Sequence, residues 1–145
     1  MKYGLVNTID TGHTQNIFDV ALLPQDPARL LSVAGDKTVR LYDLNTASET
    51  IQQPGHSLWN HHTSACVRVL RCHSSRVKKI ETESSNLFLT CSEDGTVRQH
   101  DLRNSHTCGG SGCGPPLIRY DRMKIYSISI SKARPHLLVL AGSSR

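Results

Sequence analysis

The stretch that decides the fold is residues 87–103, which read LFLTCSEDGTVRQHDLR. Two runs that favour extended backbone flank a Ser-Glu-Asp-Gly turn, and the pair Asp94-Gly95 tolerates the positive φ values of a tight hairpin turn. This stretch therefore predicts a β-hairpin. The same pattern occurs at residues 30–44, LLSVAGDKTVRLYDL, where Thr-Val-Arg and Asp-Leu fall 58 positions upstream. One structural unit is used twice in this chain.

The length and composition indicate one domain of ordinary size. The chain has 145 residues, and its 17 Lys and Arg against 12 Asp and Glu give a net charge of +5. No aromatic residues are interleaved with the densest basic cluster, so the cluster predicts a solvated strand face and not a nucleic-acid surface. The cluster consists of Arg68, Arg71, Arg76, Lys78 and Lys79.

The cysteines and the apolar runs bear on the compartment. The five cysteines form an odd set without the spacing of a disulfide framework, and the N-terminal residues lack the hydrophobic core of a signal peptide. No apolar run approaches the roughly 18 residues of a membrane span. We expect an intracellular protein of the nucleus or cytoplasm, with free thiols and no membrane contact.

The first half of the chain predicts a turn at residues 12–16, a strand at 17–23 and the first hairpin at 30–43. Pro24, Asp26 and Pro27 are expected to end the first strand. Residues 45–63 are polar and predict a surface insertion with a candidate strand near 49–52. Trp59 lies in this insertion, and packing onto the domain is favoured over a role as partner anchor. Residues 65–72 predict a strand buried on much of both faces.

The second half repeats this order. Residues 73–76 form a turn, 77–82 a strand and 83–86 a turn before the hairpin at 87–103, and residues 104–116 form a glycine-rich loop. Strands at 117–120, 124–131 and 137–141 begin a third copy, because residues 18–35 align without gaps on 125–142. The chain therefore divides into repeats at 12–63, 64–116 and 117–145.

Four polar residues recur in the same order in the two full copies, and the last three keep the same spacing in both. A carboxylate in a tight turn accepts hydrogen bonds from backbone amides and from an imidazole, which a hydroxyl orients in turn. The sequence here resembles the WD-repeat family, whose repeats run Gly-His, strand, strand with Ser or Thr, Asp in the tight turn, and strand ending in Trp-Asp. In that family the four residues form a buried network; here they are His13, Ser32, Asp36 and Tyr42, then His73, Thr90, Asp94 and His100.

The resemblance implies an all-β fold, a WD-repeat β-propeller of which this chain supplies about two and a half blades. Propellers have roughly four to eight blades, so we expect a fragment of a longer protein. The 58-residue spacing exceeds the usual period of about 40–45 residues because of the insertion. The third copy carries Val139 and Ser143 at the Ser and Asp positions, so its network is expected to be lost.

A Ser, a His and an Asp could also form a catalytic triad. Catalytic sites are not built once per repeat, however, so the pattern favours a structural network. We expect a non-enzymatic interaction scaffold without small-molecule substrate or cofactor.

The segment His100-Asp101-Leu102-Arg103 carries the most specific functional signal. It resembles the Trp-Asp-x-Arg motif of cullin-4 ubiquitin ligase substrate receptors, in the group that includes the WD-and-tetratricopeptide-repeat proteins. The resemblance implies that Asp101 and Arg103 bind the damaged-DNA-binding-protein adaptor. His100 departs from the Trp of the motif, and Asn45 stands at the Arg position of the first copy.

Two alternatives remain open. Arg103 is an incidental loop arginine if the chain is a general WD-repeat scaffold of a chromatin or RNA-processing assembly. A metal or redox role for His106, Cys108 and Cys113 is disfavoured, because Cys-x4-Cys lacks the tight Cys-x2-Cys pairing of common zinc sites. We therefore expect no metal.

Overall fold

The computed structural model describes residues 9–47, 65–108 and 113–144. Within these ranges ten strands form two four-stranded antiparallel sheets and one hairpin. The first sheet contains β1 (Ile17–Leu23), β2 (Asp26–Ala34), β3 (Val39–Asp43) and β4 (Cys66–Leu70), and the short helix α1 (Leu44–Ala47) follows β3. The second contains β5 (Val77–Thr82), β6 (Leu87–Ser92), β7 (Thr96–Asp101) and β8 (Ile118–Arg119), and the hairpin pairs β9 (Met123–Ile130) with β10 (Leu138–Ser144). The predicted all-β fold of about two and a half blades is confirmed.

The blades pack through their first strands. β1 contacts β5, and β5 contacts β9. Neighbouring residues of β6 point to opposite faces, so Phe88 joins the core between the first two blades while Leu89 and Cys91 join the core against the third hairpin. All three side chains are buried. The second blade is therefore apolar on both faces because it lies between two neighbours.

The hairpin of residues 87–103 has the predicted turn. Thr90 pairs with Arg98, and Gly95 adopts a φ of 82°. A Cβ atom at Gly95 would lie 2.2 Å from the carbonyl oxygen of Tyr120, so glycine is required for space as well as conformation. The matching position of the first hairpin is Lys37, which adopts a φ of 69°.

The start of β2 differs from the prediction. The strand begins at Asp26, which pairs with Leu23, so the turn consists of Pro24 and Gln25 alone. Pro27 lies inside the strand, where a register shift interrupts the ladder with β1. A proline is tolerated there because its missing N–H is not needed by a regular ladder.

The prediction that residues 65–72 are buried on much of both faces is wrong. β4 is the outer strand of the first blade, and Val67 and Val69 are 55% and 36% exposed. Only the opposite face packs inward, where Leu70 is buried. The alternation of apolar residues indicated the strand but not its position at a sheet edge.

The alignment of the third copy is off by one residue. In the first blade a register shift separates the pair Ile17 and Ala34 from the rest of the ladder, and in the third hairpin the shift follows the pair Ile125 and Gly142. Equivalent residues of the first blade and the third hairpin therefore lie 108 positions apart in the sequence. Leu140 and Ser144, not Val139 and Ser143, occupy the positions of Ser32 and Asp36. Leucine has no hydroxyl, so the hydrogen-bond chain is not repeated through this position.

The insertion expected at residues 45–63 lies outside the described residues from position 48 onward, and so do the candidate strand at 49–52 and Trp59. In the part of the chain that the structure describes, no helix is long and apolar enough to cross a membrane.

Candidate functional site

The first blade brings its four predicted residues into one hydrogen-bonded chain. Nδ1 of His13 donates to Oδ2 of Asp36 at 2.9 Å, and Nε2 lies 2.7 Å from Oγ of Ser32. The Ser32 hydroxyl lies 3.0 Å from the hydroxyl of Tyr42, which donates to the carbonyl oxygen of Thr11 at 2.9 Å. Tyr42 replaces the usual tryptophan and ties β3 to the segment before β1.

The second blade repeats the arrangement. Nδ1 of His73 donates to Oδ2 of Asp94 at 2.9 Å, and Nε2 lies 2.8 Å from Oγ1 of Thr90. Nε2 of His100 lies 2.9 Å from the same hydroxyl. His100 thus occupies the tryptophan position and also stacks on Phe88, with ring centroids 4.9 Å apart.

Sequence reasoning missed a fifth member of each network. Thr38 donates to Oδ1 of Asp36 at 2.7 Å and lies 3.1 Å from Nδ1 of His13. Thr96 makes the matching contacts in the second blade at 2.6 Å and 3.2 Å. The signal was present, because both threonines begin the repeated Thr-Val-Arg segment two residues after the aspartate.

Both hydroxyls at the centre of the networks are fully buried. Ser32 and Thr90 are 0% exposed, so neither hydroxyl is accessible to a substrate. Buried polar groups are tolerated when they satisfy one another. The arrangement is therefore suited to holding strands together.

The aspartates remain ionised in this buried setting. Burial raises the pKa of Asp36, but hydrogen bonds from Thr38 and His13 outweigh it and hold the pKa at about 2. Burial also raises the pKa of Asp94, but the hydrogen bond and charge of His73 keep the pKa of this carboxyl well below its usual range.

Burial lowers the pKa of His100 from 6.5 to about 3, which predicts a pH-dependent stability. Between about pH 3 and pH 6.5 the His100 side chain therefore carries a proton in the unfolded chain but not in the folded chain. The free energy of unfolding therefore falls by about 1.4 kcal/mol per pH unit as the pH drops below 6.5. His100→Tyr, which copies Tyr42, should remove this contribution from the slope measured by urea unfolding between pH 6.5 and 4.5.

The matched control changes a histidine outside the network. His136 is exposed, and the His136→Tyr variant should show the same change of unfolding free energy with pH as wild type. Equal slopes for wild type and His100→Tyr would show that His100 is not neutral and buried in the folded chain.

The predicted adaptor-binding residues form an exposed ion pair at the end of β7. Nε of Arg103 donates to Oδ1 of Asp101 at 2.9 Å, and Nη2 donates to Oδ2 at 2.6 Å. These hydrogen bonds lower the pKa of Asp101 to about 2. The Arg103 side chain is 68% exposed, so the fork of the guanidinium is held in place at the surface.

The backbone of this turn is anchored to the blade. The side chain of Leu102 lies in the core, and its N–H donates to the carbonyl oxygen of Asn86 at 2.8 Å. Nη1 of Arg68 donates to the carbonyl oxygens of Leu102 and Asn104 at 3.3 Å and 3.4 Å. The core contact of Leu102 and the hydrogen bonds from Arg68 therefore hold the backbone of this turn in place.

The first blade has the same hydrogen bond to the aspartate without the guanidinium, although its residues Leu44–Ala47 continue into α1. The N–H of Asn45 donates to Oδ1 of Asp43 at 2.9 Å, as the N–H of Arg103 donates to Oδ1 of Asp101 at 3.0 Å. The two blades thus provide an internal comparison for the effect of the arginine.

Several residues of the basic cluster have partners within the chain. Nζ of Lys78 lies 3.2 Å from the ring centroid of Phe18, and Nζ of Lys79 lies 3.1 Å from Oδ2 of Asp19. These contacts join β1 to β5. Lys78 and Lys79 therefore connect two blades, whereas Arg71 and Arg76 of the same cluster are exposed.

A second group of side chains gathers beside the Arg103 turn. The structure brings the three candidate ligands of the glycine-rich loop, His106, Cys108 and Cys113, together with Cys72. Cys72 follows β4 and directly precedes His73. Sequence reasoning missed Cys72 because 34 residues separate it from His106.

The comparisons with known proteins agree with this geometry. The family model "WD domain, G-beta repeat" matches residues 4–43 and 64–101. Most of this chain (82%) superposes on 32% of the WD40 β-propeller domain of Doa1, with a TM-score of 0.55 at 16% sequence identity. That likeness supports the fold.

Longer curated proteins carry similar sequences. The chain is 34% identical to WD repeat protein iqw1 of Schizosaccharomyces pombe over 98% of its length, and it covers 17% of that protein. It is 38% identical over 68% of its length to human WD and tetratricopeptide repeats protein 1, covering 12% of it. It is 28% identical over 96% of its length to human DDB1- and CUL4-associated factor 6, covering 15% of it. The chain thus spans about a fifth or less of these relatives.

Proposed function

Because the chain belongs to the WD40 repeat family of protein-interaction domains, we propose that it is a non-enzymatic substrate receptor or adaptor of a cullin-4 ubiquitin ligase. Asp101 and Arg103 provide its contact with the damaged-DNA-binding-protein adaptor. The proposed location is the nucleus or cytoplasm, because the odd set of cysteines lacks the spacing of a disulfide framework.

The observation that carries the proposal is the geometry of Arg103. Its guanidinium has five N–H groups, and the contacts with Asp101 use those of Nε and one of Nη2. The remaining three N–H groups are available to acceptors of a partner. A guanidinium held in one orientation suits bidentate binding of a carboxylate or of paired carbonyl oxygens.

The fixed backbone adds to this argument. Ordering a loop on binding costs free energy, but Leu102 already holds this turn to the core. A partner therefore binds a turn that needs little ordering. The name of one relative supports the identity of the partner, since it is called DDB1- and CUL4-associated factor 6.

The test compares the two equivalent turns of the chain. Arg103→Asn gives the second blade the residue of the first, and it should weaken binding of the purified cullin-4 adaptor by at least about tenfold, which corresponds to about 1.4 kcal/mol. Asn45→Ala, which alters the first turn, should bind as wild type does. Binding is measured by co-precipitation of the adaptor over a concentration series, after circular dichroism has shown that the variants fold alike.

Equal capture by wild type and Arg103→Asn would remove Arg103 from the interface. If the wild-type chain fails to bind the adaptor, the function is instead that of a general WD-repeat scaffold with other partners, such as those of a chromatin or RNA-processing assembly.

A further inference from the structure

The four side chains beside the Arg103 turn converge on one point. The ligand atoms of Cys72, His106, Cys108 and Cys113 all lie within 4.8 Å of one another. Nε2 of His106 lies 3.1 Å from Sγ of Cys72, 3.1 Å from Sγ of Cys108 and 3.5 Å from Sγ of Cys113. All four residues are half-buried.

Hydrogen bonding alone does not explain this arrangement. A neutral imidazole nitrogen either donates one hydrogen or offers one lone pair, whereas three sulfur atoms surround Nε2 of His106. The sulfur atoms of Cys72 and Cys108 also lie 3.6 Å apart. Three sulfur atoms around one imidazole nitrogen are the arrangement expected when all four atoms coordinate one central cation.

We propose that Cys72, His106, Cys108 and Cys113 bind one structural zinc ion. Zinc–sulfur bonds of about 2.3 Å and zinc–nitrogen bonds of about 2.0–2.1 Å at tetrahedral angles place sulfur atoms about 3.8 Å apart and sulfur and nitrogen about 3.6 Å apart. The sulfur atoms of Cys72 and Cys108 match this edge at 3.6 Å, while two of the three sulfur–nitrogen separations, at 3.1 Å, are shorter, so a bound ion moves the His106 ring slightly outward. Three cysteines and one histidine form a common donor set of structural zinc sites.

The surroundings also suit a thiolate ligand. The backbone N–H of Arg71 donates to Sγ of Cys108 at 3.0 Å. Donors of this kind stabilise the negative charge on a metal-bound sulfur and orient it. Four protein ligands fill the tetrahedral coordination sphere and leave no position for a substrate, so the ion has a structural role and not a catalytic one.

The ion joins two segments that are far apart in sequence. Cys72 directly precedes His73 of the second hydrogen-bond network, while His106 and Cys108 follow the Asp101–Arg103 turn within five residues. Zinc therefore fastens the loop after β7 to the connection between β4 and β5. This role stands independently of the adaptor, and the proposed site replaces the expectation of no metal.

The test measures the metal content of the whole chain, fused to a cysteine-free carrier and purified under reducing conditions from zinc-supplemented cells. Wild type should contain about one zinc ion per chain, and Cys72→Ser should lose most of it. Cys66→Ser is the matched control, because Cys66 is also half-buried but is not one of the four ligands. It should keep the zinc of wild type.

A second pair of variants separates ligation from folding. His106→Cys supplies a fourth thiolate and should still bind zinc, whereas His106→Ala should not. Cobalt(II) added to the metal-free chain should give the visible absorption of tetrahedral thiolate coordination in wild type and His106→Cys only. A zinc-free wild type that gives no cobalt spectrum would overturn the proposal. A disulfide between Cys72 and Cys108 in the freshly purified chain, detected by mass, would also overturn it.

Discussion

Asp94→Ala is expected to lower the free energy of unfolding by about 3–5 kcal/mol, because four hydrogen-bond donors lose their acceptor and each buried donor left unsatisfied costs about 1–3 kcal/mol. The carboxylate accepts four hydrogen bonds, from the His73 ring at 2.9 Å, from the N–H groups of Ser74 and Thr96 at 3.0 Å and 2.9 Å, and from the Thr96 hydroxyl at 2.6 Å. Alanine satisfies none of these donors.

The loss at Asp94 is measured by urea unfolding followed by circular dichroism at pH 7. Asp121→Ala is the matched control, since Asp121 lies in an exposed turn before β9, and it should change stability by less than about 0.5 kcal/mol. A loss below about 1 kcal/mol for Asp94→Ala would mean that the network does not hold the second blade together.

Phe88→Ala is expected to cost about 3–5 kcal/mol through the cavity that it leaves. Phe88 is 0% exposed in the core between the first two blades, and its ring stacks on His100 at 4.9 Å. Removing the ring also exposes His100 to water. The variant should therefore lose both stability at pH 7 and part of the slope that His100 contributes below pH 6.5.

The other phenylalanine provides the control for this prediction. Phe18 is 37% exposed on β1 and holds Lys78 over its ring at 3.2 Å. Phe18→Ala should cost about 1 kcal/mol, the usual size of such a cation–π contact. Equal losses for the two substitutions would contradict the assignment of Phe88 to the main core.

The local parts of the fold could be predicted from the sequence. The strands at 17–23 and 77–82 and the tight turn at Gly95 follow from β-favouring runs and from turn chemistry, which act over a few residues. The repeated spacing from Ser or Thr to Asp, together with the resemblance to the WD-repeat family, indicated the networks, because each blade must satisfy the same buried groups. The added Thr38 and Thr96 obey the same spacing.

The parts that depend on tertiary packing could not be predicted in this way. The one-residue error in the third copy arose because a register shift in a β-ladder leaves no mark in a gapless alignment. The exposure of Val67 depends on which strand ends the sheet. The position of Cys72 beside His106 depends on two blades meeting, so spacing along the chain could not indicate it.

The most direct test of the central claim is photocrosslinking at matched positions of the two turns. A photoreactive amino acid replaces either Asn104, which follows Arg103, or Thr46, which follows Asn45; both residues are exposed. With the purified cullin-4 adaptor we predict a crosslinked product from position 104 and none from position 46. Adaptor binding without a crosslink at position 104, or with equal crosslinks at both positions, would contradict the claim that the Arg103 turn forms the interface.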